Sequence, residues 1–130
     1  MKVFLGGTCN GSTWRDILIP RLNIDYFNPV VSDWTEECYL EELRQREICE
    51  YCLYVVTPKM VGVYSVAEVI DDSNKRPERT LFCFLNEDEE MRFDKAQLKS
   101  LEKVAQMVQR NGGKYFKDLI SVAQFLNTNE

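Results

Sequence analysis

Residues 53–72 read LYVVTPKMVGVYSVAEVIDD and decide the fold of the chain. The stretch begins with a continuously apolar run, passes through a loop that holds Pro58 and Gly62, and continues into a helical pattern at Ser65-x-x-Glu68. A continuously apolar run is typical of a strand covered on both faces. A buried strand followed by a loop and a helix predicts an α/β fold, in which ligands bind at the carboxyl edge of a parallel sheet.

Strands and helices are predicted to alternate along the chain in both directions from this stretch. Strands are predicted at residues 2–5, 24–27, 52–56, 80–85 and 114–116, and helices at 14–22, 36–49, 66–74, 95–110 and 119–126. The acidic residues 86–94 are predicted to form a loop. Alternation of this kind favours a parallel sheet with helices on both faces. We predict one domain over residues 1–130, with a five-stranded sheet in the order 2-1-3-4-5.

Two of the predicted helices show where their buried faces should lie. The helix at 95–110 has apolar residues every three or four positions, as an amphipathic helix requires. The helix at 36–49 is predicted to bury Leu40, Leu43 and Ile48 and to expose its charges. Pro20 is predicted to shorten or bend the first helix.

Composition excludes several classes of protein. The chain carries 16 Lys and Arg against 21 Asp and Glu, a net charge of −5, and no basic patch is visible. We therefore expect no nucleic-acid polymer as a partner, because such binding needs clustered cations. No apolar run approaches the roughly 18 residues of a membrane span, and no signal peptide is visible. We expect a cytoplasmic protein with no membrane partner.

The five cysteines and the lack of histidine limit the chemistry further. An odd number of cysteines without a secretion signal predicts reduced thiols. Cys49-x-x-Cys52 could be a redox pair or half of a zinc site, but it lies between a helix and a strand, and no His can complete a site. We expect both thiols to be buried and the protein to use no metal and no cofactor. Ser-His and Cys-His nucleophiles are excluded.

Three loops, at residues 6–13, 28–34 and 57–65, are predicted to meet at one edge of the sheet and to form a small-molecule cleft. The candidate residues in and beside these loops are Gly6, Gly7, Thr8, Trp14, Arg15, Asn28, Asp33, Trp34, Tyr64, Ser65 and Glu68. Gly6-Gly7 either lets the backbone approach a sugar or phosphate or forms a simple turn. Trp14 and Trp34 either stack on a base or pack as ordinary aromatic side chains.

The polar candidates also have structural alternatives. Arg15 could neutralise a phosphate or pair with Asp16. Asn28 could bind a ligand hydroxyl or hydrogen-bond to its own turn. Asp33 could orient a substrate or cap the helix that begins nearby.

Glu68 is the strongest candidate for chemistry. A carboxylate can attack an anomeric carbon and hold a glycosyl-enzyme intermediate, which water or a second acceptor then resolves. The departing base then needs an acid or a hydrogen-bond donor, and Tyr64 and Asp33 are candidates for that role. The alternative is a capping box, because Ser-x-x-Glu before an apolar run is also a signature of a helix start.

Three segments together resemble the nucleoside 2-deoxyribosyltransferase-like proteins over residues 2–85. The segments are Val3-Phe-Leu-Gly-Gly-Thr8 with Trp14-Arg15, Tyr26-Phe-Asn-Pro29 with Asp33-Trp34, and Tyr54-Val-Val-Thr-Pro58 with Gly62-x-x-Ser65-x-x-Glu68. The resemblance implies a flavodoxin-like, Rossmann-like three-layer sandwich. It also implies cleavage of the N-glycosidic bond of a deoxynucleoside or its monophosphate, with transfer of the sugar to another base or to water.

The resemblance further implies roles for particular residues. Glu68 matches the nucleophile, Gly6-Gly7 match the loop that lines the sugar site, and the motif residues Pro29, Thr57 and Gly62 join the predicted binding site. Family members often complete the site from a neighbouring subunit, which makes a homo-oligomer an expected partner.

The chain departs from the family where well-characterised transferases carry Asp residues. Thr57-Pro58 and Met60-Val61 stand at those places, and Gly62 and Glu68 are further apart than in those enzymes. Retention of Glu68 favours an enzyme that cleaves N-glycosidic bonds. The missing acids favour a non-catalytic domain that binds a nucleotide or nucleoside derivative.

Overall fold

The computed structural model describes residues 1–9 and 11–128. Five strands form one parallel sheet in the order β2-β1-β3-β4-β7. They are β1 Lys2–Gly7, β2 Asp25–Phe27, β3 Tyr51–Val56, β4 Thr80–Phe84 and β7 Lys114–Phe116. The predicted sheet and its strand order are confirmed. The fifth strand in space is the seventh in the chain, because a hairpin of β5 (Glu87–Asp88) and β6 (Met91–Arg92) occupies the segment predicted as loop.

Helices lie on both faces of the sheet. They are α1 Trp14–Leu18, α2 Glu36–Ile48, α3 Tyr64–Lys75, α4 Lys95–Arg110 and α5 Leu119–Thr128, with 3-10 turns at Ile19–Arg21 and Pro77–Arg79. Pro20 shortens the first helix as predicted, since α1 ends at Leu18 and Pro20 lies in the 3-10 turn. No helix in the described part of the chain is long and apolar enough to cross a bilayer.

The side chains of the central strands point alternately to the two faces of the sheet, which divides the core into two layers. Val3, Leu5 and their neighbours on β3 and β4 pack against α1 and α5. Phe4, Tyr54 and the residues of the same parity pack against α3 and α4. Successive side chains of a strand point to opposite faces, so a fully buried sheet needs continuously apolar strands. The result is a three-layer, flavodoxin-like sandwich.

The prediction for the buried face of α2 was wrong. Leu40 and Ile48 are exposed, whereas Gln45 and Arg46 are buried. Arg46 is buried because its guanidinium bonds to acidic side chains of α3. Specific ion pairing therefore replaces apolar packing where α2 meets α3.

Gly7 ends β1 at the point where the chain leaves the sheet for the cleft. Its φ is +121°, and an added Cβ would overlap the carbonyl oxygen of Val55 on β3. Beyond it, the Thr8 N–H donates to the same Val55 oxygen over 2.9 Å. Only a residue without a side chain allows both the positive φ and this approach of the two strands.

We expect Gly7→Ala to lower the free energy of unfolding by at least about 3 kcal/mol, because the new methyl group meets backbone that cannot move aside. Gly11→Ala is the matched control. Gly11 also has a positive φ, +77°, but a Cβ there meets nothing within 4 Å in the described part of the chain. Its cost should be about 1–2 kcal/mol, from the backbone conformation alone. Chemical denaturation of both variants measures the difference, and equal losses would contradict the steric explanation.

Candidate functional site

A cavity of about 360 Å³ lies at the carboxyl ends of β1 and β3. Its wall is formed by the loops after β1, β2 and β3, by α2 and by the first turns of α3. The described residues that line it are Phe4, Gly6, Gly7, Thr8, Cys9, Arg15, Pro29, Val30, Val31, Trp34, Glu42, Val56, Met60, Gly62, Tyr64, Ser65 and Glu68. This volume lies at the lower end of the range of small-molecule sites.

Glu68 lies on the first turns of α3 and faces this cavity. The helix begins at Tyr64, the residue before it is Val63, and no side chain caps its first turn. The capping-box alternative for Ser65 and Glu68 is therefore wrong, since Ser65 already lies inside the helix. The Glu68 carboxylate is 11% exposed and lies 3.6 Å from Nη1 of Arg46.

Arg46 is held in place by a buried network. Its Nη2 donates to Oδ1 of Asp72 over 2.8 Å and to Oδ2 of Asp71 over 3.1 Å. Asp72 also accepts hydrogen bonds from Arg76 and from the Tyr54 hydroxyl of β3. With 5% of the Arg46 side chain exposed, the cation beside Glu68 has a fixed position and is shielded from solvent. Shielding makes its effect on Glu68 stronger than it would be in water.

Burial raises the pKa of the Glu68 carboxyl to about 7. Arg46 opposes this rise, whereas the nearby acids Glu42, Asp72 and Asp71 add to it. Burial also raises the pKa of Glu42, against the lowering effects of the Trp34 indole and of Arg46. Glu42 and Glu68 are the carboxylates on the described cavity wall. Two buried carboxyls whose pKa values are raised suit general acid–base and nucleophilic chemistry.

Most of the residues predicted to bind a ligand lie on the cavity wall. They are Gly6, Gly7, Thr8, Arg15, Pro29, Trp34, Gly62, Tyr64 and Ser65, together with the predicted nucleophile Glu68. An added Cβ at Gly6 would lie 2.7 Å from the Tyr54 ring and 2.9 Å from the Phe4 ring, so a larger residue would clash with these rings. Gly6 therefore contributes only backbone to the wall.

Four predicted residues do not line the cavity. Trp14 is the first residue of α1, and its side chain is buried in the core. Its indole N–H donates to the Thr8 carbonyl over 2.7 Å, so it cannot stack on a base. Asn28 accepts from the N–H of Val30, which is the alternative of bonding within its own turn. The Thr57 hydroxyl donates to Asp88 over 2.7 Å and is buried.

Asp33 is the fourth of these residues. It lies in an exposed loop before α2 and is not on the described wall of the cavity. It does not cap α2 either, because Thr35 accepts from the Cys38 N–H at the first turn. The position of Asp33 therefore supports none of the three roles predicted for it, which are orienting the substrate, capping α2 and acting as an acid for the departing base.

Arg15 lines the cavity, but its donors are already engaged. Its guanidinium nitrogens donate to the carbonyl oxygens of Leu5 and Thr8 over 2.8–3.1 Å. Burial lowers the pKa of Arg15 to about 10. Arg15 therefore holds in place the backbone that follows β1. Its hydrogen bonds go to backbone carbonyls and to neither of the predicted partners, Asp16 and a phosphate.

Sequence reasoning missed Glu42 and Asp88. Glu42 is one of the α2 charges that were predicted to be exposed, although it lies one helical turn before Arg46 and so shares its face. Asp88 belongs to the unpredicted hairpin and accepts from the hydroxyls of Ser12 and Thr57 over 2.5 and 2.7 Å. The hairpin thereby joins the loops after β1 and β3, at the edge where the cavity opens.

The cysteine pair Cys49 and Cys52 is buried, as expected. Burial raises the pKa of both thiols, that of Cys52 to about 12. Both are therefore protonated at neutral pH, which disfavours redox chemistry and metal binding. The described residues contain no group of three or more His, Cys, Asp and Glu side chains arranged to hold a metal ion.

The fold and the cavity define a class of protein: a flavodoxin-like α/β domain with a carboxylate-lined cleft at the carboxyl edge of its sheet. A family model described as "Nucleoside 2-deoxyribosyltransferase like" matches residues 1–81, well over half of the chain. The chain therefore belongs to the nucleoside 2-deoxyribosyltransferase-like family, and the predicted resemblance is confirmed. No curated protein and no solved structure matches the chain significantly.

The raised pKa of Glu68 predicts a dependence of stability on pH. Below about pH 4.5 the carboxyl is protonated in both the folded and the unfolded chain. As the pH rises from about 4.5 to about 7, the unfolded chain ionises first, so this residue makes the fold progressively less stable. We expect Glu68→Gln to raise the free energy of unfolding above pH 7 by up to about 3 kcal/mol, and to have little effect near pH 4.

Glu41→Gln is the control with the opposite sign. Hydrogen bonds from Arg44 and Gln45 lower the pKa of Glu41 to about 2. This variant should be less stable than the wild type at neutral pH, and the difference should shrink as the pH falls towards 2. Urea denaturation of the three proteins between pH 2 and 8 measures both effects. A Glu68→Gln protein no more stable than the wild type at pH 8 would contradict the burial argument.

Proposed function

We propose that this protein cleaves the N-glycosidic bond of a 2′-deoxynucleoside, with Glu68 as the nucleophile. The observation that carries the proposal is the position of the Glu68 carboxylate. It faces a cavity of nucleoside size, does not cap its helix, and lies beside the immobilised cation of Arg46. Membership of the deoxyribosyltransferase-like family supports the same reaction.

The cavity offers a place for each part of such a substrate. Gly6 and Gly7 contribute backbone to the same wall as the Glu68 carboxylate, and we expect the sugar to bind there. Trp34 lines the same cavity and is 56% exposed, with its ring packed edge-on against Tyr39 at 5.4 Å between centroids, and we expect the base to stack on it. Attack of Glu68 on the anomeric carbon forms a glycosyl ester and releases the base. Water or a second base then takes the sugar and restores the carboxylate.

The charges of the cavity favour an uncharged nucleoside over its monophosphate. Arg15 is the basic residue on the described wall, and its guanidinium nitrogens are bonded to backbone carbonyls. Glu42 and Glu68 face the same space, so a phosphate dianion beside them would be repelled by two acidic side chains. A phosphate could be held only by backbone N–H groups such as those at the uncapped start of α3, which also lies on this wall.

Incubation with a panel of deoxynucleosides, their 5′-monophosphates and NAD, with detection of free base, tests this function. We expect base release from at least one deoxynucleoside, and about tenfold or more lower kcat/KM for its monophosphate. Glu68→Ala and Glu68→Gln should each reduce release by more than about 10³-fold, because no other carboxylate occupies that position. Release that survives both substitutions would remove Glu68 as the nucleophile. Binding of nucleosides without any release would favour the alternative of a non-catalytic sensor.

We also propose that the protein self-associates through the mouth of the cleft. Val63 is 70% exposed at the start of α3, next to the exposed Tyr64, and the exposed Trp34 lines the same cavity as Tyr64. Exposed apolar side chains clustered in this way are typical of interaction sites.

We expect the wild type to be larger than a monomer in light scattering coupled to size exclusion, and Val63→Glu to shift it towards the monomer. Ile120→Glu is the matched control, because Ile120 is 52% exposed on α5, outside this patch. A monomeric wild type would contradict the association without affecting the assignment of Glu68.

A further inference from the structure

We propose that Glu42 is the acid–base residue of the cleft, which protonates the departing base and then takes a proton from the acceptor water. This role rests on the proposed function, and it belongs to a side chain that the family resemblance did not indicate. The position of Glu42 on the cavity wall supports it.

Glu42 and Glu68 enter the cavity from different helices. Glu42 lies on the second turn of α2 and Glu68 on α3, and both line the same space. Two carboxyls that flank a glycosidic bond from separate elements suit the division into acid and nucleophile. Among the described residues of the wall, no third carboxylate is present. Asp88 is not on this wall and is bonded to the Ser12 and Thr57 hydroxyls.

Glu42 and Trp34 line the same cavity. The Trp34 indole lowers the pKa of the Glu42 carboxyl, against the effect of burial. Because Trp34 is the proposed stacking surface for the base, we expect Glu42 to face the bound base. Glu68, by contrast, is backed by Arg46 at 3.6 Å, which favours its anionic, nucleophilic form.

Both protons and electrons balance in the resulting reaction. An oxygen of the Glu68 carboxylate bonds to the anomeric carbon, and the C–N bond breaks with its electron pair going to the base nitrogen. The base takes the proton of Glu42. Water then attacks the anomeric carbon and gives a proton to the Glu42 carboxylate, and the C–O bond to Glu68 breaks with its electron pair returning to Glu68. Both carboxyls end in their starting states.

The charged groups around the pair determine where one proton is held. The groups that face it are Arg15 of α1, Arg46 of α2, Asp71, Asp72 and Tyr64 of α3, and Tyr54 of β3. Burial raises the pKa of both carboxyls, and the charge of Glu42 adds to the rise at Glu68. Ionisation of one carboxyl therefore disfavours ionisation of the other. The proposed reaction uses the form that has the proton on Glu42 and the charge on Glu68.

A comparison of two leaving groups tests the role of Glu42. The first substrate is an ordinary 2′-deoxynucleoside that the wild type cleaves. The second is the 2′-deoxynucleoside of an N7-methylated purine, whose base is already a cation and departs neutral without taking a proton. We expect Glu42→Gln to lower kcat/KM for the first by about 10²–10⁴-fold and for the second by less than about tenfold.

Three further measurements separate proton transfer from packing. Glu42→Asp, which keeps an acid, should recover part of the lost rate. The alkaline limb of the pH profile of kcat/KM should disappear in Glu42→Gln, because that limb reports the acid. Glu41→Gln, on the exposed side of the same helix turn, should leave both rates unchanged.

Equal slowing of both substrates in Glu42→Gln, or no recovery in Glu42→Asp, would overturn the assignment of Glu42 and leave Glu68 as the nucleophile. A wild type that cleaves neither substrate would overturn the proposed function, and the role of Glu42 with it.

Discussion

The buried ion pair between Arg46 and Asp72 is the interaction on which the rest of the structure depends. It joins α2 to α3, and the Tyr54 hydroxyl bonds the same carboxylate to the centre of the sheet. Breaking such a pair by removing one partner typically costs 3–5 kcal/mol, because the other charge stays buried and unpaired. The same pair places the Arg46 guanidinium beside Glu68, so one set of contacts organises both the fold and the candidate site.

The candidate site places two acids where burial disfavours their charge. An apolar cavity makes the Glu68 carboxyl harder to ionise, and Arg46 offsets part of that cost. The arrangement is unfavourable for folding at neutral pH and favourable for a group that must exchange protons or attack a carbon centre. Stability and reactivity therefore oppose each other at this one residue, as is common at functional sites.

Sequence reasoning worked best where the local pattern and the tertiary environment agree. The continuously apolar strands, the Pro20 helix end and the amphipathic α4 were all predicted, because each depends on neighbours along the chain. Sequence reasoning failed where the burial or pairing of a residue depends on a partner that is distant in the chain. The buried face of α2 follows from acids on α3, and the β5–β6 hairpin is made of two-residue strands too short to show a period. Trp14 is buried instead of facing a ligand, and its indole N–H donates to the Thr8 carbonyl.

The sequence by itself determined the order of strands and helices, the edge of the sheet at which the cleft forms, and the family to which the chain belongs. Hydrophobic periodicity and turn residues carry the order of the elements and the edge of the sheet locally, and the resemblance of three motif segments indicated the family. Only the tertiary structure decided that Glu68 faces the cavity instead of capping its helix, that Arg15 is bonded to backbone, and that Glu42 shares the cleft. The physical reason is that burial and charge pairing are properties of groups that lie far apart in the chain and meet only when it folds.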